Sequence, residues 1–150
     1  MPFSDHRPRL FCFGMGYCAH ALARILLAEG WNVAGTCKDP DRVETLQAEG
    51  LDVILMNRNR PLEDPTAVLA DTTHVLCSIP PDQTGDMILH HHWADIAAIK
   101  RLIWAGYFST TGVYGDTDGA LVNESTKIKP SNERGRRRAD PRTAAQGDPC

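Results

Sequence analysis

Short apolar runs closed by glycine, proline or aspartate alternate with stretches of helical spacing over the first 110 residues. Residues 10–14, Leu-Phe-Cys-Phe-Gly, read as a strand that stops at glycine, and residues 19–29 follow with Leu22, Ile25, Leu26 and Glu29 on one helical face before Gly30. Residues 31–36 form the next apolar segment. Asp39-Pro40 then supplies a capping side chain and a first-turn proline for a helix running to Gly50. Residues 51–56 read as a third strand, and Asp64-Pro65 repeats the cap signature for a short helix through about Ala70. Residues 74–79 form a fourth strand ended by Pro80-Pro81, residues 83–100 read as a helix, and residues 102–109 as a fifth strand. Strands separated by helices at this spacing need right-handed crossovers, so the pattern predicts an α/β fold with a parallel sheet covered on both faces. After Tyr114-Gly115-Asp116 the periodicity disappears. From Pro130 onward Pro, Gly, Ser, Asn and Arg dominate, which predicts a poorly ordered stretch over residues 130–150.

The turn between the first strand and the first helix is Gly14-Met15-Gly16-Tyr17-Cys18-Ala19. Gly14 allows a sharp exit from the strand, Gly16 lets backbone approach a pyrophosphate, and the small Ala19 lets helix pack closely on strand. The phosphates would then meet the positive end of the helix. A GxGxxA loop after a strand, opening a helix and followed by a second strand, is the context a dinucleotide-binding Rossmann unit requires. The fold class is therefore a Rossmann-type, doubly wound parallel sheet of about five strands. The nucleotide-binding domain is expected over residues 1–129, with a basic tail over 130–150.

Cofactor choice is set at the end of the second strand, where an acidic side chain would accept from the ribose of NAD and repel the 2'-phosphate of NADP. This chain has Gly35-Thr36-Cys37-Lys38 there. Lys38 can pair with a 2'-phosphate and Thr36 can hydrogen-bond it, so NADP is the expected cofactor; the nearby Asp39 keeps NAD open. At the carboxyl edge of the fourth strand, Ser78, Ile79, Pro80 and Pro81 are expected to line the nicotinamide side, with the Asp82–Asp86 loop following them.

The segment Tyr107-Phe-Ser-Thr-Thr-Gly-Val-Tyr-Gly-Asp116 resembles the S-[ST]-x-x-V-Y-G-D stretch of extended short-chain dehydrogenases/reductases, the NAD(P)-dependent epimerase/dehydratase family. With the glycine loop and the Ser78-Ile79-Pro80-Pro81 sequence, the likeness extends over residues 10 to about 138 and is nearest to an atypical bacterial branch of NAD(P)-dependent oxidoreductases. It implies hydride transfer at a sugar-like or carbonyl carbon, with Thr110 holding and polarising the substrate and Thr111 beside it. Tyr114 matches a tyrosine that usually packs in this family. The family's general acid is a tyrosine followed four residues later by a lysine. Following Glu124 and Pro130 through a P-x-x-P-Y-x-x-x-K stretch, those positions fall on Arg134 and Arg138. An arginine keeps its proton throughout the working range and cannot shuttle it as a phenol does. Three readings stay open: an oxidoreductase or epimerase of weak or absent activity, a non-catalytic NADP-binding regulatory module, or a truncated gene product. The third follows from length, since the resemblance implies about twice this chain and the sheet would be incomplete relative to the family. The ending after Ala139 reads like an out-of-frame terminus.

Composition narrows the alternatives. Of 150 residues, 42% are hydrophobic and 23% charged, enough for one ordinary core. No apolar run approaches the roughly 20 residues of a membrane helix, and the N-terminus lacks a signal-peptide core, so a cytoplasmic protein with no membrane partner is expected. The five cysteines, Cys12, Cys18, Cys37, Cys77 and Cys150, show no CxxC pairing and read mostly as small core residues. Residues 127–142 hold seven basic against two acidic residues, so this window nets +5 within a chain of net charge −3. Without an aromatic residue it offers bases no stacking platform, and a solvated tail is favoured over a nucleic-acid contact. His90-His91-His92 lie about 100° apart on a helix and cannot all face one ion, so no metal is expected. The implied partners are a dinucleotide cofactor and a small-molecule substrate, with a homodimer left open.

Overall fold

A computed structural model of the chain describes residues 7–139. Five strands, β1 (Arg9–Phe13), β2 (Asn32–Cys37), β3 (Asp52–Leu55), β4 (His74–Cys77) and β5 (Trp104–Tyr107), form one sheet of order β3-β2-β1-β4-β5. Every neighbouring pair is parallel. The expected α/β Rossmann-type sheet is therefore present. The chain winds outward from β1 first to β2 and β3, then returns to β4 on the other side. The reversal opens a crevice between the carboxyl ends of β1 and β4, the place where open α/β sheets bind ligands.

Because successive side chains along a strand point to opposite faces, β1 feeds two cores. Leu10 and Cys12 join Met15, Ala19, Ala23, Leu46 and Leu76 on one face. Phe11 and Phe13 join Val75, Met87, Ile88 and Ile96 on the other. Helices α1 (Tyr17–Ala28) and α2 (Pro40–Ala48) cover the first face, and α3 (Pro65–Val68) and α4 (Met87–Ala97) contribute to the second. This two-faced burial explains why the strands read as continuous apolar runs. At the sheet edge β5 is less covered, with Trp104 48% and Tyr107 37% exposed.

Two differences from the sequence reading have local causes. The helix expected from residue 83 begins instead at Met87, because Asp82 and Gly85 close a small bridge, Gly85 takes φ +104°, and Asp86 caps the helix through Ile88 and Leu89 N–H. Within the basic stretch expected to be poorly ordered, Glu133–Ala139 form helix α5. It packs on the 3-10 turn Thr111–Tyr114 through buried Gly135, whose added Cβ would lie 2.6 Å from the Gly112 carbonyl oxygen. Apolar periodicity could not reveal this helix, because its anchor is a glycine rather than a hydrophobic stripe. Residues 140–150 lie outside the described range. No helix among the described residues is long and apolar enough to cross a membrane.

Candidate functional site

The glycine loop is locked in place from both sides. Gly14 turns at φ +91°, its N–H donates to the Thr36 hydroxyl at 2.9 Å, and its carbonyl accepts from the Ser78 hydroxyl at 2.6 Å. Met15 N–H donates to the Thr36 carbonyl at 2.7 Å, and the Met15 side chain is buried in the core. A Cβ on Gly14 would meet Ile79 Cγ1 at 2.6 Å. Thr36, Ser78 and Ile79 thus hold the loop between β2 and β4. Sequence reasoning found all three but not this joint task, which needs the β2-β1-β4 order to be known.

Beyond the loop the surface opens. Gly16 is the N-cap of α1 and makes no side-chain capping bond, no acidic residue sits in the first turn, and nothing lies within 4 Å of where its Cβ would be. The helices α2, α3 and α4 are capped instead by Asp39, Asp64 and Asp86. The first turn of α1, with exposed Tyr17 and Cys18 and buried Ala19, therefore presents backbone N–H groups and a positive dipole end to an open space. A diphosphate fits such a place. At the end of β2, Lys38 is exposed, whereas Asp39 is engaged in accepting from Asp41 N–H.

The second half of the edge belongs to β4, β5 and α5. Thr110 caps the 3-10 turn by accepting from Gly112 N–H at 3.3 Å; Thr111 is exposed and Tyr114 half-buried. Pro80 is exposed at the mouth and Pro81 buried. Arg134 is exposed, while the Arg138 guanidinium lies 5.4 Å from the centre of the Tyr107 ring and donates to the Phe108 carbonyl. Tyr107 pairs in register with Cys77, and Asp86 and Arg138 lie near enough to its phenol to shift its proton affinity. Burial raises the phenol above its usual value, the Asp86 charge adds to that, and Arg138 opposes it. Burial pushes the Cys77 thiol up to about 12, helped by Asp86. The sequence reading missed this grouping of Asp86, Tyr107 and Arg138, because three elements far apart in the chain bring it together.

A clamp joins the loops after β3 and β4: Arg58 donates to Asp82 at 2.9 Å and to the Gly85 carbonyl at 2.8 Å. Of the three histidines, His92 is buried, accepts from Leu62 N–H at 3.2 Å and bonds Asp95 at 2.9 Å.

No protein-family model matches the chain. It is 30% identical over 131 residues to Protein YeeZ of Escherichia coli K12, an alignment covering 82% of this chain and 47% of that protein. The chain thus spans about half the length of the curated relatives it matches. A functionally unknown conserved protein from Silicibacter pomeroyi DSS is 39% identical, with a TM-score of 0.77 over 93% of this chain and 48% of its own. A short-chain dehydrogenase/reductase superfamily protein from Agrobacterium tumefaciens, solved with bound NAD, superposes with a TM-score of 0.64 at 13% identity, over 92% of this chain and 44% of its own. The sheet order, the parallel pairing and these superpositions give the chain a Rossmann-type parallel α/β fold.

Proposed function

We propose that the chain binds NADP as the nucleotide-binding part of an oxidoreductase or epimerase acting on a sugar-like or carbonyl substrate. The observation that carries this reading is the α1 N-terminus, where a loop locked by Thr36 and Ser78 leaves Gly16 and the first-turn amides facing open space. On this reading Gly14, Met15, Gly16, Tyr17, Cys18 and Ala19 form the phosphate loop. Backbone N–H groups at the open end hold the diphosphate, and Thr36, Ser78 and Ile79 act by shaping the loop. Lys38 selects NADP, because the neighbouring carboxylate of Asp39 is committed to capping α2. Pro80 borders the nicotinamide end, and Thr110 with Thr111 positions the substrate. When bound, the cofactor supplies hydride chemistry at a carbon bearing oxygen. We take residues 1–129 as the nucleotide-binding domain, with the basic segment from 130 as its appendage. The free buried thiols Cys12 and Cys37 fit a reducing compartment such as the cytoplasm.

A second reading, binding without turnover, is favoured by the exposed arginine at position 134, where the epimerase/dehydratase pattern has its acid. Titration of NADPH and NADH by nicotinamide fluorescence tests cofactor selection. The wild-type chain is expected to prefer NADPH, and Lys38→Glu to lose about tenfold or more in NADPH affinity, consistent with one charge-assisted contact of about 1.5–3 kcal/mol. Unchanged NADPH affinity in Lys38→Glu contradicts the assignment.

A further inference from the structure

We propose that Tyr107 is the proton-donating residue of this site, with Arg138 and Asp86 as the partners that hold its phenol. The inference rests on the cofactor reading above and supplies what the arginine at position 134 removes. Reduction of a carbonyl needs a hydride on carbon and a proton on oxygen, and a guanidinium does not release one.

The carboxyl edge of β4 and β5 holds few groups that can. The Cys77 S–H is a weak hydrogen-bond donor, and burial pushes the thiol up to about 12. Asp82 is tied to Arg58 and Thr84, on the loop clamped toward β3. Tyr107 stands at the last position of β5, three residues before Thr110, with its residue 37% exposed. It is faced from β4 by Cys77, from the start of α4 by the buried carboxylate of Asp86, and from α5 by the Arg138 cation over its ring. The phenol thus has one cationic and one anionic partner. In the step proposed, hydride for the carbonyl carbon would be supplied by a bound reduced nicotinamide, and the proton comes from Tyr107. The Tyr107 O–H bond breaks, its proton bonds to the carbonyl oxygen, and the phenolate left behind is met by Arg138. Water returns the proton. At neutral pH the phenol is protonated, the form an acid requires, because its ordinary value of 10.0 already lies well above 7.

The chain has three tyrosines, Tyr17, Tyr107 and Tyr114. Labelling all three with 13C at Cζ gives three NMR resonances, assigned by elimination with Tyr17→Phe and Tyr114→Phe, which leave Tyr107 in place. On saturation with NADPH, the Tyr107 resonance is expected to shift together with that of Tyr17 beside the glycine loop. In the free chain, Arg138→Gln and Asp86→Asn are expected to move Tyr107 in opposite directions, since one removes a cation beside the phenol and the other an anion. Asn keeps the capping oxygen of position 86, so α4 stays capped. If Tyr17 shifts and Tyr107 stays fixed, the proposal is overturned while cofactor binding stands. If no tyrosine responds to NADPH, the cofactor reading fails and the proposal with it.

Discussion

Gly14 meets two constraints, a positive φ that side chains rarely adopt and an Ile79 side chain 2.6 Å from where a Cβ would be. Gly14→Ala is therefore expected to cost about 1–3 kcal/mol, read as a lowered urea midpoint. His92 supplies a second stability prediction. Its ring accepts from the buried amide of Leu62, and His92→Leu orphans that amide, so a loss of about 1–3 kcal/mol in denaturant unfolding is expected.

The buried thiols set an alkaline limit. Cys12 and Cys77 are both raised from an ordinary 9.0 to about 12 by burial. The unfolded chain gives up these protons near pH 9 while the folded chain holds them to about 12. Their contribution is full below pH 9 and is lost as pH rises towards 12, at about 1.4 kcal/mol per pH unit for each thiol. Denaturant titrations from pH 8 to 11 are expected to show that fall, and it should shrink in Cys12→Ala when each variant is compared with its own value at pH 8. Iodoacetamide at pH 8 should label exposed Cys18 well before Cys12.

At the scale of elements, the strands, α2 and α3 were legible because each carries its own signal: an apolar run stopped by a breaker residue, or an Asp-Pro cap. Boundaries failed where a side chain outside the periodicity decides them. Asp86 starts α4 four residues later than the polar and apolar mixture predicts, and Gly135 seats α5 where composition predicts no order. The glycine loop was legible as a pattern because residues 14–19 are contiguous, and its use as a binding site belongs to the proposal above. Asp86, Tyr107 and Arg138 were not legible as a group, since only the β4-β5 pairing and the seating of α5 bring them together. The α5 contact is testable by itself. Gly135→Val puts a branched side chain against the Gly112 carbonyl and should free α5, with faster amide exchange over residues 133–139 and little change in β1 to β4.

For the molecule as a whole, the sheet reverses between β1 and β4, and the open end of α1 lies at that reversal. On the proposed reading the two halves of the carboxyl edge divide the work: β1, β2 and α1 would take a diphosphate, and the polar groups gathered by β4, β5 and α5 would serve a reacting carbonyl. Gly16 separates a binding function for this edge from a purely structural glycine turn. Its φ of −76° suits any residue and its Cβ position is open, so Gly16→Val should leave the fold intact while filling the space proposed for the pyrophosphate. The deciding measurement is a fluorescence titration of the wild-type chain and Gly16→Val with NADPH, each checked for an unchanged urea midpoint. Saturable binding by the wild type and its loss in the equally stable variant is the predicted result. Equal binding by the two, or none by a folded wild type, contradicts a dinucleotide site at the start of α1.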